Sequence, residues 1–252
     1  MEAGMLASLK KKETYTHYLE TLRYALYVIT HPLDGFWDLT HEKRGSIAAA
    51  NTIVLLTVLA RIMKLQYTSF VFMQVYWEEI NIFLYIASVL FPLALFCVGN
   101  WGLTTLFDGK GRLYQIYMGT AYALTPYPLI QIPMILFSNL VTEEEGAFYT
   151  FACTFSIVWA AILIICAMME IHEYSLSKTL LFMVASGFAM LIMVFILLLF
   201  FSMISQGVAY FVSIVKEIIN AHNEHINVIS TPGVGSEFIF SLPKSHQEDE
   251  ED

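Results

Sequence analysis

Five stretches of this chain stay apolar for as long as a helix needs to cross a bilayer, and this settles the class of fold before any single residue is weighed. A helix rising about 1.5 Å per residue needs roughly 20 apolar residues to span the hydrocarbon core. The stretches run from Ser46 to Ile62, Ile80 to Phe107, Leu113 to Val141, Ala147 to Met169 and Thr179 to Val212. The last is longer than a crossing requires, so it must tilt or continue past the interface. Composition agrees: 57% of the 252 residues are hydrophobic and 14% charged, where a soluble domain carries about 25% charge. The expected fold is an all-α integral membrane protein with five transmembrane helices. An N-terminal amphipathic helix at the interface precedes them, and a short C-terminal tail, either a β-hairpin or disordered, follows. The division expected is a cytoplasmic segment 1–45, a membrane domain 46–215 and a tail 216–252.

The net charge of −9 comes largely from Glu143 to Glu145 and from Glu248 to Asp252. It therefore describes a loop and a tail, and no basic stripe exists to meet nucleic acid. The opening MEAGMLASLKKKETY lacks the apolar core of a signal peptide, so the first span is expected to drive insertion. Cys97, Cys153 and Cys166 all fall in apolar segments without CxxC spacing. They read as small buried residues, neither disulfide nor metal site.

Lys and Arg are retained on the cytoplasmic side of a span. With the N-terminus inside, Lys10, Lys11, Lys12, Arg23, Lys43, Arg44, Lys110, Arg112 and Lys178 all fall inside, while Arg61, Lys64, Lys216 and Lys244 fall outside. The triple-Glu loop TEEEGAF then lies outside, and five spans put the C-terminus there too. The location expected is a bacterial cytoplasmic membrane, with the N-terminus cytoplasmic.

Ahead of the first span, Tyr15, Tyr18, Leu19, Leu22, Leu26 and Ile29 recur at helical spacing and form one apolar stripe. Pro32 should stop that helix and Asp34-Gly35 should turn the chain, leaving Phe36 and Trp37 as interfacial anchors. The stripe fits packing on the membrane surface or on the spans better than a partner-binding helix, although the pattern alone separates neither.

Within VGNWGLTTLFDGKGRL, Asn100 and Trp101 sit near the end of the second span, with Gly99 and Gly102 allowing close helix approach. Asp108 to Arg112, with Lys110 between two glycines, forms a tight charged turn. Its spacing is not that of a phosphate-binding loop, and no strand precedes it. In the third span, Pro126, Pro128 and Pro133 each remove an N–H. The carbonyls so freed must be met by Tyr122, Thr125, Tyr127, Gln131 or water, since lipid cannot satisfy them. A structural kink is the simpler reading, and the lack of charged residues inside the spans argues against ion-coupled transport. In MMEIHEYSLSK, Glu170 and Glu173 share a helical face but His172 points elsewhere, so this reads as a solvated turn. No catalytic constellation, cofactor site or metal site emerges.

The ordered series HPLDGFWDLTHEKRGS, GNWGLTTLFDGKG, TAYALTPY and HEYSLSK resembles the bacterial branch of the YIP family, the Ypt-interacting or Yip-one domain membrane proteins. It spans roughly Tyr15 to Val215. The resemblance implies five spans and a cytoplasmic N-terminus. Its eukaryotic members take part in vesicle traffic through small GTPases and partner membrane proteins; for bacterial members it implies no established reaction and points toward transport systems. A second resemblance covers SIVKEIINAHNEHINVISTPGVGSEFIFSLP, which is similar to the end of a sensor histidine kinase ATP-binding domain. The Asn-bearing helix, Asp-x-Gly-x-Gly loop and Gly-rich lid that would hold nucleotide are missing upstream, where the chain reads FFSMISQGVAYFV. No nucleotide is therefore expected. The function expected is a non-enzymatic scaffold or accessory subunit whose partners are the bilayer and other membrane proteins or further copies of itself. A solute or lipid transporter using the proline-broken third span is the alternative, followed by a kinase-derived signalling protein. The residues singled out for interaction or packing are Phe36, Trp37, Arg44, Asn100, Trp101, Asp108, Lys110, Tyr122 and Pro126.

Overall fold

The computed structural model describes residues 2–73, 80–221, 226–231 and 235–240, with side chains described for 16–73 and 80–218. Tyr15 of the N-terminal stripe, the kinase-like residues 222–225 and 232–234, the acidic end and the facing of Phe238 and Phe240 lie outside the described residues or side chains. The chain divides into two compact units, residues 1–193 and 194–252, and the division falls inside its last helix. Each unit is described by itself.

In the first unit, α1 (Glu2–Thr30) ends where Pro32 makes continuation impossible, and α2 (Pro32–His41) begins with that proline in its first turn. The turn lies at His31, not at Asp34-Gly35 as expected; both of those residues are inside α2. Gly35 is there for proximity, because a Cβ on it would meet the Val28 Cα of α1 at 3.0 Å. The stripe divides as well. Thr21, Ala25 and Val28 are buried, with Tyr18, Leu22 and Ile29 packed against the core, while Leu19 and Leu26 stay exposed. Phe36, expected at the interface beside Trp37, is wholly buried, and only Trp37 is exposed, stacked on His41.

The apolar helices α3 (Ile47–Tyr67), α4 (Ile82–Thr105), α7 (Gly146–His172) and α8 (Leu176–Ala221) are each long and apolar enough to cross a membrane. Among the described residues these are four, not five, and the difference lies in the third stretch. It forms two shorter helices, α5 (Leu113–Ala123) and α6 (Pro126–Phe137), with Pro126 at the first position of the second. The break is satisfied from within: Thr125 Oγ1 donates to the Tyr122 carbonyl at 2.6 Å. Buried Gln131 turns its amide to α7, donating to the Cys153 carbonyl at 3.1 Å and to Ser156 Oγ at 2.9 Å. Cys97 and Cys153 are buried and Cys166 partly so, all as free thiols.

α3 starts at Ser46, whose Oγ accepts from the Ala49 N–H at 3.1 Å as an N-cap. It also continues past Ile62 to Tyr67, so that Lys64 as well as Arg61 stands within the helix. The expectation that no charge lies inside the spans is thereby corrected. A polar node joins three elements below the cap. The Tyr122 hydroxyl donates to the Thr21 carbonyl at 3.0 Å and accepts from the Ser46 N–H at 3.3 Å, while Thr21 Oγ1 and Ser46 Oγ lie 2.9 Å apart. At the opposite end of the bundle the Ser69 N–H donates to Ser138 Oγ at 3.0 Å and Asn139 Nδ2 to the Tyr67 carbonyl at 2.9 Å. A short 3₁₀ turn, Glu143–Glu145, leads there into α7.

In the second unit, β1 (Ile226–Thr231) pairs antiparallel with β2 (Gly235–Phe240), from Ile226 opposite Phe240 to Thr231 opposite Gly235. A two-stranded ladder alone is marginal in water.

Tyr122→Phe should lower stability by about 1–3 kcal/mol, because it leaves the part-buried Ser46 N–H without its acceptor and takes from the Thr21 carbonyl the hydrogen bond that ties α1 to α5. Thermal unfolding of the purified protein in mild detergent reads this directly; an unchanged midpoint would show that the node carries no stability.

Candidate functional site

Where α4 hands over to α5 and α7 to α8, polar side chains form a closed, buried cluster. Asn100 is 1% exposed, His172 2% and Ser186 0%. The Gly111 N–H donates to His172 Nδ1 at 3.3 Å, so that nitrogen accepts and Nε2 carries the ring proton. Nε2 donates in turn to Asn100 Oδ1 at 2.9 Å, and Asn100 Nδ2 donates to Ser186 Oγ at 3.0 Å. Thr104 Oγ1 completes the cluster by donating to the Asn100 carbonyl at 2.7 Å. Unpaired, each such group would cost several kcal/mol away from water.

Two reversals of the backbone build this arrangement. After α4 the chain turns back through Asp108 (φ 56°), and the Gly109 N–H closes on the Thr104 carbonyl at 2.8 Å. After α7 it turns at Glu173 (φ 54°), with the Tyr174 N–H on the Met169 carbonyl at 3.1 Å. The glycine turn is laid against the histidine ring. A Cβ on Gly111 would come within 2.6 Å of both His172 Cε1 and Ile171 Cγ2, and one on Gly109 within 2.6 Å of Thr104 Cβ. Only glycine fits so close an approach.

Charged and aromatic groups ring the cluster. Lys110 pairs with Glu173, whose other oxygen lies 3.9 Å from His41 Nε2. The lysine bond holds the Glu173 carboxyl below its ordinary value. Arg44 pairs with Glu42 at 2.7 Å and Asp38 at 3.4 Å. Burial, reinforced by Asp38, pushes the Tyr24 phenol up. The Tyr174 hydroxyl donates to the Phe107 carbonyl at 2.9 Å, and Lys178 Nζ stands 3.9 Å above the Tyr174 ring.

Of the residues singled out from the sequence, Asn100 lies at the centre of this cluster, Asp108 makes its turn, and Lys110 and Arg44 belong to its charged rim. Trp101 is exposed beside it. Phe36 is in the core, Trp37 on the surface near His41, and Tyr122 and Pro126 at the α5–α6 junction. His172 is the residue that sequence reading missed. Expected in a solvated turn, it is buried because α7 carries on to it and the Asn100 and Gly111 partners arrive from 72 and 61 positions away. Gly102 is corrected too. Nothing lies within 4 Å of a Cβ placed there, whereas one on Gly99 would meet Met193 Cε of α8 at 2.9 Å.

The cluster is closed on itself, since each polar side-chain atom of Asn100 and His172 meets a partner within the chain. What faces outward is apolar and basic. Leu106 is 80% exposed, Phe107, Leu113 and Tyr114 are exposed with it, and Lys110 and Arg112 stand between them. Among the described residues, no group of His, Cys, Asp and Glu could hold a metal ion.

A family model described as the Yip1 domain matches residues 26–214. The chain belongs to the Yip1 domain family. The match takes in the last turn of α1, both halves of the broken third stretch and most of α8, so the whole buried cluster lies inside the Yip1 domain. Comparison with curated proteins and with solved structures found no match. The family is one of membrane proteins not known as enzymes, and the apolar helices of this Yip1 domain place it in a bilayer.

Gly111→Ala should destabilise the Yip1 domain by about 1–3 kcal/mol through overpacking against His172. Gly102→Leu, facing open space, should do little, and Lys110→Ala should cost within about 1 kcal/mol as an exposed pair. Unfolding midpoints in one detergent rank the three; a larger loss at Gly102 than at Gly111 would contradict the geometry.

Proposed function

We infer that the protein is a non-enzymatic scaffold or accessory subunit that holds other membrane proteins through its helices and through the turns around the buried cluster. The observation that carries this reading is the exposed ridge of Trp101, Leu106, Phe107, Leu113 and Tyr114 on a corner whose interior side chains, Asn100 and His172, bond to one another and to the chain around them. Such a corner offers a fixed surface and no free reacting group. Rim contacts of mixed apolar and basic character suit a protein partner. Membership of the Yip1 family supports a membrane role and leaves the partner open.

In this reading α5 and α6 together make one broken crossing, giving five, with α1 cytoplasmic at the interface and the β-ladder outside. Lys43, Arg44, Lys110, Arg112 and Lys178 all lie near the same end, in or beside the turns that meet there, which supports a cytoplasmic assignment for that end. A transporter is the second reading. It rests on the α5–α6 break and on the Lys64 ammonium donating 3.2 Å to Gln131 in the bundle; against it, the carbonyl and amide groups at the break are met within the chain.

Five measurements bear on the reading. Single cysteines at positions 110 and 144 should react differently with an impermeant reagent in intact cells, 144 labelled and 110 not; the reverse pattern would invert the topology. A mild-detergent pull-down should retain one discrete membrane partner in fixed ratio and lose it on a Leu106→Glu, Phe107→Glu change that leaves the unfolding midpoint intact. Flux of solute in liposomes without any partner would instead favour transport. Truncation after Ala221 should leave insertion and thermal stability of the membrane domain nearly unaltered, and the full chain should bind no ATP analogue; saturable binding lost on that truncation would revive the kinase-derived reading.

A further inference from the structure

Arg61 and Lys64 stand in the last turns of α3, a helix apolar enough to cross a bilayer. Lys64 is accounted for by Gln131. Arg61 is not. Among the described residues no carboxylate lies within ion-pair distance of its guanidinium, and its neighbour is the Tyr85 ring, 6.0 Å from centroid to guanidinium carbon. A cation at such depth costs several kcal/mol unless it meets water or a counter-charge, and in membrane proteins it marks a functional position.

Arg61 borders a cavity of about 470 Å³ between α3, α4, α7 and the α5–α6 junction. That volume falls within the roughly 300–1,000 Å³ of small-ligand sites. Leu93, Phe96, Leu124 and Ile164 make apolar walls, while Ser88 and Pro92 lie with Arg61 along the lining. Pro92, inside α4, lacks the N–H that would close on the Ser88 carbonyl, which leaves an acceptor on that wall. The lining residues Ser88, Pro92, Ile157 and Ala161 are exposed, so the cavity opens sideways between α4 and α7.

We propose that this cavity is a binding site for an anionic glycerophospholipid, its phosphate on Arg61 and one acyl chain between Leu93, Phe96 and Ile164. Charge complementarity selects the head, since guanidinium matches phosphate oxygens in a forked geometry. The sideways opening selects a bilayer lipid, because one chain enters while the other stays outside. The Ser88 carbonyl accepts from a head-group hydroxyl. The site is separate from the exposed ridge around Leu106 and does not depend on a protein partner.

The test uses the full-length protein, delipidated in detergent and titrated with phosphatidylglycerol or phosphatidylcholine of equal chain length. Retained lipid is counted by native mass spectrometry. One phosphatidylglycerol should bind saturably, at least tenfold more tightly than phosphatidylcholine. Arg61→Gln should bring phosphatidylglycerol down to the phosphatidylcholine level, Arg61→Lys should keep most of the preference, and Lys64→Gln should keep all of it. Ala161→Phe, which blocks the opening, should abolish binding of both lipids and serves as the deciding variant if Arg61→Gln does not fold. Equal affinity for the two lipids, full phosphatidylglycerol binding by Arg61→Gln or by Ala161→Phe, or equal loss in Lys64→Gln would overturn the proposal. So would saturable binding of oleate with none of phosphatidylglycerol, which would assign the cavity to a free fatty acid.

Discussion

The hydrogen bond from His172 to Asn100 is the contact on which one end of the bundle depends. It joins the end of α7 to the end of α4 across 72 positions of chain, in a place where water is not available to replace either partner. The other histidine nitrogen accepts from Gly111, which fixes the start of α5; the Asn100 amide reaches Ser186, which fixes α8. Four helices are thus held by two side chains. Removing either would leave the other's polar groups buried and unmet, and the penalty for that exceeds what a single bond contributes.

The same accounting explains the bundle's middle. Lipid offers no donor or acceptor, so a break in a crossing segment persists only if the chain itself answers every freed group. Thr125 answers Tyr122, Tyr122 answers Thr21 and Ser46, and Gln131 answers α7 and Lys64. Arg61, with no carboxylate within ion-pair distance among the described residues, is left to a group from outside the chain.

Much of this was legible in the chain. The long apolar stretches, the polar content of TAYALTPY, and the tight turn from Asp108 to Arg112 all follow from residue chemistry and spacing. Asn100 and Tyr122 stood out because polar groups in apolar segments need partners. What stayed hidden depended on contacts far apart in sequence. His172 reads as a turn residue until Asn100 and the glycine turn close over it. Gly99 and Gly102 are three positions apart, about 60° around a helix, and periodicity cannot say which of them meets α8. The reach of α3 to Tyr67 could not be read from hydropathy either, because Arg61 and Lys64 look like a natural stop.

The broken segment imposes an order on biogenesis. At about 1.5 Å per residue neither α5 nor α6 reaches across roughly 30 Å of hydrocarbon alone. The Gln131 amide in α6 also finds its acceptors only on Cys153 and Ser156 of α7, which leave the ribosome later. In the proposed five-span reading the half-formed crossing waits, sheltered by the insertion machinery or by α3, until its partner helix has been synthesised.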